Sequence, residues 1–241
     1  MLPVPLPKHD FSRRFFSHMT NKLLYPCLVL DHDDTTVLST PQVNYPAFLD
    51  TMKKLRPNAP HYDYETFIDY CCDPGFEPFF RQILGFSDKE MDFEFANWQR
   101  FVKMTIPEAV PGIGEVIIKY RNAGGLIFVV SHSYTENILR DWRHDFGILP
   151  DGVYAWDTGE GKRKPDPYPL VDIMKKNNFT AAELVMVDDL KPGLDMSRAA
   201  GVRFAAAGWA RQSHAIEELM RRESDIYLES VTALEELLFV K

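Results

Sequence analysis

Short apolar runs recur along this chain, each separated from the next by a stretch long enough for a helix. The first is Cys27-Leu28-Val29-Leu30, which stops abruptly at Asp31-His32-Asp33-Asp34. Further runs fall at residues 126–130, 184–187 and 202–207, with a short one at 226–228 and a weaker one at 153–155. Unbroken apolar runs of this length suit strands buried on both faces, and their spacing predicts a parallel sheet with helical crossovers. Pro111-Gly112 followed by Val116, Ile117, Ile118 and Tyr120 predicts the helix before the second strand, with Gly124-Gly125 as its stop. Another helix is expected from Pro169, ahead of the run at 184–187, and a closing one at 233–238.

Residues 40–107 break this rhythm. They are crowded with aromatics (Phe48, Phe67, Phe79, Phe80, Phe86 and Trp98 among them) and lack strand-like runs. Short helices are expected at 49–55, 64–71, 77–84 and 93–104, punctuated by Pro and Gly. The chain is therefore divided into an N-terminal extension (1–24), an α/β core (25–39 and 108–241) and a helical subdomain inserted after the first strand (40–107). In the extension, Leu2, Val4 and Leu6 alternate with prolines, which argues against a signal-peptide core. Phe11, Phe15, Phe16, Met19 and Leu23 then fall at near-helical spacing. They read as a leading amphipathic helix, with an organelle transit peptide as the alternative.

Composition narrows the partners. A net charge of −8 argues against nucleic acid, yet leaves room for a small basic pocket that takes a phosphorylated metabolite. Cys27, Cys71 and Cys72 show no zinc-like spacing, and so sparse a set suits a reducing cytoplasm. No run is long enough for a membrane span.

The candidate chemistry sits where strands end. In open α/β sheets, ligands bind beyond the carboxyl ends of the strands. Asp31 and Asp33, two residues apart, can lean to one side of an extended backbone and address one site, although a DxD alone is equally a capped turn. The run at 184–187 ends in Asp188-Asp189, which could cap the next helix. Two buried strands that both end in acid pairs are hard to explain by capping, and converging carboxylates of this kind call for a divalent cation such as Mg²⁺. Residues 126–130 end in Ser131-His132-Ser133, hydroxyls that can donate to a phosphoryl oxygen or cap a helix. Lys164, followed by Pro165, is a point charge suited to phosphate, or part of a solvated basic loop.

Taken in order, Asp-x-Asp-x-Thr, then Ser, then Lys-Pro-Asp-Pro, then an apolar run ending Asp-Asp, the series resembles the four motifs of the haloacid dehalogenase superfamily. It is most similar to the phosphoglycolate-phosphatase-like branch, which carries a helical cap between the first and second motifs. The resemblance implies a Rossmann-like, three-layer α/β core with 40–107 as cap, and a Mg²⁺-dependent phosphatase acting on a small phosphorylated metabolite through an aspartyl phosphate. Asp31 would be the nucleophile and Asp33 the general acid and base. Thr35, Ser131, His132 and Lys164 would hold or position the phosphorylated group. The metal would be held by Asp31, Asp33 (through its backbone carbonyl) and Asp189, with Asp188 beside it. An acid at position 33 favours phosphoryl transfer over dehalogenation, because a halide needs no proton.

Departures from the pattern are also visible. Asp34 stands where the family favours glycine, His132 where Asn is frequent, and Gly193 where a later acid is expected. The loop from Cys71 to Phe76 is expected to face the site, and Arg81 and Arg100 are either contacts for a distal anionic group or solvated arginines. The alternatives are a phosphomutase on the same nucleophile, a 2-haloacid dehalogenase, and a non-catalytic module. A cytoplasmic monomer or homodimer is expected.

Overall fold

Each apolar run becomes a strand because its side chains alternate between two covered faces. The computed structural model describes residues 22–210 and 213–240. The leading amphipathic helix expected for the extension lies outside them. Six parallel strands form one sheet: β1 (Cys27–Leu30), β2 (Leu126–Val130), β3 (Gly152–Tyr154), β4 (Leu184–Asp188), β5 (Arg203–Ala207) and β6 (Ile226–Leu228), in the order β3-β2-β1-β4-β5-β6. Cys27, Val29, Phe128, Met186 and Phe204 point to one face, where α7 (Tyr168–Asn177), α8 (Lys191–Ala200) and α9 (His214–Glu223) bury Leu170, Ile173, Leu194, Ile216 and Met220. Leu28, Leu30, Ile127, Val185 and Val187 point to the other, against Ile117, Trp142 and Leu234 of α5 (Ile113–Asn122), α6 (Thr135–Asp145) and α10 (Val231–Leu238). This is the three-layer, Rossmann-like α/β core.

The strand order places the site. From β1 the chain moves outward through β2 and β3, then returns to add β4 on β1's other side and continues to β5 and β6. The sheet's topological switch point therefore lies between β1 and β4, where α/β folds open a crevice at the strands' carboxyl ends. Asp31 follows β1 and Asp188 ends β4, so both acid pairs face that crevice. The Asp31 amide donates to the Val187 carbonyl at 2.9 Å, extending the ladder into the site.

Between β1 and the core helix α5 the described chain is helical without a strand: α1 (Tyr45–Leu55), α2 (Tyr64–Tyr70), α3 (Phe76–Pro78) and α4 (Asp88–Met104). The stem where this insert leaves and re-enters the core is paired: the Leu38 amide donates to the Glu108 carbonyl at 2.8 Å and the Val110 amide to the Thr36 carbonyl at 2.9 Å. Phe48, Phe67, Phe79, Phe80 and Phe86 are all buried and join the cluster on one face of the sheet. Within the insert, three helices depart most from the sequence expectation. The helix α4 starts at Asp88 rather than residue 93, because Glu90 reaches back to the Ser87 amide (2.9 Å) in a capping box that outweighs the polar first turn. The helix α1 starts at Tyr45 rather than 49, with Pro46 in its first turn. The helix expected at 77–84 is split after Pro78, where wider helical turns continue over Phe79–Ile83.

Candidate active site

The centre is a buried knot of three carboxylates and a lysine. Asp31, Asp188 and Asp189 each bring an oxygen within 4.8 Å of the others, and all three are buried. The Lys164 ammonium donates to Asp31 Oδ1 at 2.7 Å and Asp188 Oδ2 at 2.6 Å. Burial lifts the Asp31 carboxyl to about 7; Lys164 pulls it down while Asp188 and Asp33 push it up. Asp189 is raised for the same reasons, burial first and then the charges of Asp188, Asp31 and Asp34. Burial alone would lower the lysine, but Asp188 and Asp31 outweigh it and keep it charged. Among the described residues one ammonium meets three carboxylates, and the donor set is oxygen-only and crowded. That is the chemistry a hard divalent cation fits.

Gly193 makes this knot possible. A Cβ at that position would lie 2.1 Å from Asp188 Oδ2, so the first turn of α8 approaches the carboxylate only because a glycine stands there. An acid at 193 would displace the very group that β4 contributes. Asp188 Oδ1 also accepts from the Leu190 amide at 2.9 Å, which fixes the second oxygen.

Asp33 is held apart from the knot. Its Oδ2 accepts from Ser133 Oγ at 2.8 Å and Ser131 Oγ at 3.1 Å. Burial would raise this carboxyl, but the charge of His32 and the hydroxyls of Ser133 and Ser131 hold it below the ordinary carboxylate range. His32 is itself doubly protonated by bond accounting. The Thr36 hydroxyl donates to the His32 carbonyl (2.9 Å), so it can only accept from His32 Nδ1 (3.1 Å), while Nε2 donates to Asp141 Oδ2 (3.2 Å). Burial opposes that charge, and the Asp141 bond with the charges of Asp33, Asp141 and Asp31 restores it.

The remaining expected residues fall close by. Ser131 is buried beside Asp33 and gives its hydroxyl to that carboxylate. His132 donates from Nε2 to the Lys164 carbonyl at 2.8 Å, and burial with the Lys164 charge lowers it to about 4, so the ring is neutral and positions the lysine's backbone. The Thr35 hydroxyl is buried without a hydrogen-bond partner, while its carbonyl accepts from Trp209 Nε1 at 3.2 Å. Asp34 takes the left-handed conformation (φ 57°) that glycine would adopt more cheaply, and its Oδ1 accepts from the Thr40 amide at 3.0 Å, anchoring the start of the insert. Over Cys71–Gly75 the chain packs against α8, and burial raises both thiols, Cys72 to about 11. Arg81 and Arg100 do not face the site, being bound to Glu77, Asp88 and Asp50 on the surface.

Sequence reading gave no role to His32 or Asp141, and offered Ser133 only as a phosphoryl donor or helix cap rather than as a partner of Asp33. A signal existed for Asp141, an acid set between Ile138 and Trp142 on the buried face of α6. A small cleft beside Asp33, lined also by Ser39, Asn44, Trp98, Ser133 and Asn137, lies where insert meets core.

The profile of the haloacid dehalogenase-like hydrolases matches residues 30–207, from the last residue of β1 to the last of β5. The chain belongs to that family. A phosphoglycolate phosphatase of Mesorhizobium japonicum is 26% identical over 114 residues, 45% of this chain and 48% of the relative, so the match spans about half of that protein's length. Among solved structures, a haloacid dehalogenase-like hydrolase from Bacteroides fragilis superposes with a TM-score of 0.73 at 16% identity, covering 87% of this chain and 99% of the other. A protein assigned as a phosphoglycolate phosphatase from Lactobacillus plantarum gives 0.70 at 20% identity over 88% and 99%. These likenesses establish the fold, and no helix among the described residues is long and apolar enough to cross a membrane.

Proposed function

We propose that this hydrolase is a phosphatase of small phosphomonoesters, with Asp31 as nucleophile and an aspartyl phosphate as intermediate. The observation that carries this reading is the division of the site: Asp31 lies in the carboxylate knot with Lys164, while Asp33 is held apart on serine hydroxyls. Asp31, Asp189 and the Asp33 carbonyl would hold Mg²⁺, with Asp188 already accepting from Lys164 and the Leu190 amide. A bound Mg²⁺ supplies charge that offsets the repulsion between a phosphate dianion and an anionic nucleophile.

The chain's own residues account for the rest. An Asp31 oxygen attacks phosphorus, the bond from phosphorus to the ester oxygen breaks, and the leaving alkoxide takes a proton from Asp33. Asp33 is ionised at rest; the incoming dianion favours its protonation. Once it has given up that proton, Asp33 accepts one from the water that attacks the phosphorus, and inorganic phosphate leaves Asp31 free. Ser131 and Lys164 would hold the transferring group, with His132 keeping Lys164 in place. The helical insert would act as a cap, covering the cleft during the first step.

Phosphate release from p-nitrophenyl phosphate and a panel of phosphorylated metabolites, with Mg²⁺ and with a chelator, tests this. Turnover that needs Mg²⁺ and disappears in Asp31→Asn is expected. Isomerisation of a hexose phosphate without phosphate release, or halide release from a 2-haloacid, would overturn it.

A further inference from the structure

Three charged side chains stand in a row that the chemistry above does not use. His32 lies between Asp31 and Asp33 in the chain, yet its buried ring bonds to Thr36 Oγ1 (3.1 Å) and Asp141 Oδ2 (3.2 Å). Asp141, on α6, is buried too, and its other oxygen accepts from Arg140 Nε at 2.7 Å. The same guanidinium donates from Nη1 to the Val102 carbonyl at 2.7 Å and from Nη2 to the Thr105 carbonyl at 3.4 Å. Val102 lies in the last turn of α4 and Thr105 closes that helix. One arginine therefore grips the insert where it returns to the core. Through Asp141 it also reaches the residue between nucleophile and acid.

Each link in the row is directional. A guanidinium is a planar fork, so its bonds to Asp141 and to the end of α4 cannot shift independently. The row also lines the cleft beside Asp33, with His32, Arg140 and Asp141 on the core side facing Trp98, Val102 and Thr105 of the insert. The His32 carbonyl accepts from the Thr36 amide (2.9 Å), the Thr36 hydroxyl (2.9 Å) and the Val37 amide (3.2 Å), so ring and carbonyl together fix the turn that carries Asp33. Stability gives little reason for such a row, since a buried ion pair is often no better than an apolar pair of the same volume. A cation does suit the carbonyl end of a helix, but that role needs neither Asp141 nor His32.

We infer that Arg140 is a positioning residue: it couples the seating of α4 over the cleft to the placement of Asp33 as proton donor. This rests on the phosphatase reading above. The test uses kcat/KM, which reports the step in which the alcohol leaves, measured with Mg²⁺ for wild type, Arg140→Met and Arg140→Lys. The esters are p-nitrophenyl phosphate and three alkyl phosphates: glycerol 3-phosphate, phosphoethanolamine and phosphoglycolate. The p-nitrophenolate anion leaves without a proton, whereas an alkoxide must take one from Asp33. In Arg140→Met, kcat/KM for the alkyl ester that wild type turns over fastest is expected to fall about tenfold or more, and that for p-nitrophenyl phosphate about twofold or less. Arg140→Lys keeps a cation at the end of α4 without the fork, and the same split is expected. Equal losses for both kinds of ester, no loss, or full alkyl-ester activity in Arg140→Lys would overturn the inference. Failure of both variants to fold, read by circular dichroism, would assign Arg140 to stability alone and overturn it too. Wild-type turnover of p-nitrophenyl phosphate and of no alkyl ester removes this inference alone; turnover of none of the four esters removes the phosphatase reading and this inference with it.

Discussion

The α/β core and the helical insert solve opposite problems. Around the site the core is polar, and its groups are tied down one by one: Lys164 by two carboxylates, Asp33 by two serines, His32 by Thr36 and Asp141. The interior of the insert is filled by aromatic packing, such as Tyr70 stacked on Phe79 at 4.6 Å and Phe48 against Phe67 at 4.7 Å, while most of its ion pairs lie on its surface. Directional bonds fix atoms to a fraction of an ångström, whereas packing fixes volume and shape. The difference teaches that chemistry belongs to the core, and that the insert is free to vary what the core acts upon.

That division can be broken most sharply at Asp31. Asp31→Asn is expected to lower phosphate release by about 10³-fold or more. Its melting temperature should stay within a few degrees of wild type, since the substitution also relieves a carboxylate repulsion. Loss of folding instead would mean that the knot is structural.

Next in size is Gly193→Ala. Helix propensity favours alanine by about 1 kcal/mol. The Cβ would meet Asp188 Oδ2 at 2.1 Å, however, so the expected sign is reversed. A cost of about 2 kcal/mol and weaker Mg²⁺ binding are expected, read by chemical denaturation and titration of the metal. A more stable variant with unchanged Mg²⁺ affinity would show that the close approach is dispensable.

The insert should behave differently. Asn97→Ala removes donors to the Ala47 carbonyl and Thr51 Oγ1, and is expected to cost about 1–3 kcal/mol while kcat stays within about twofold. A large fall in kcat with little loss of stability would move chemistry into the insert.

Stability against pH sharpens the contrast further. The folded-state values of Asp31 and Glu94 are raised to about 7, and Asp189 is also raised. A raised carboxyl stabilises the fold below its unfolded value near 4, and that contribution is lost as pH climbs through 7. Metal-free protein should therefore melt several degrees lower at pH 8 than at pH 5.5, and Mg²⁺ should restore more at pH 8, where it competes with fewer protons. Equal Mg²⁺ protection at both pH values, by differential scanning calorimetry, would contradict the raised values.

The smallest effect is expected at Asp34. Asp34→Gly relaxes the left-handed backbone but loses the bond from the Thr40 amide, so stability should change by less than about 1 kcal/mol. A larger loss would make the anchor of the insert more important than the turn.

Much of this molecule was legible in its sequence because strands and their ends are local. Alternation and apolar run length located β1, β2 and β6 to the residue, and placed Asp31, Asp33, Asp188 and Asp189 at strand ends. Helix starts were less legible, since Ser87 with Glu90 and Pro46 set them through single local bonds and ring geometry rather than periodicity. The partners of the site were not legible at all. Ser133 reaches Asp33, Asp141 reaches His32 and Gly193 admits Asp188 only after distant segments meet, because hydrogen bonds and van der Waals contact act over a few ångströms in space, whatever the separation along the chain. The sequence determined which groups stand at the sheet's edge; tertiary packing decided which of them are charged and which are tied.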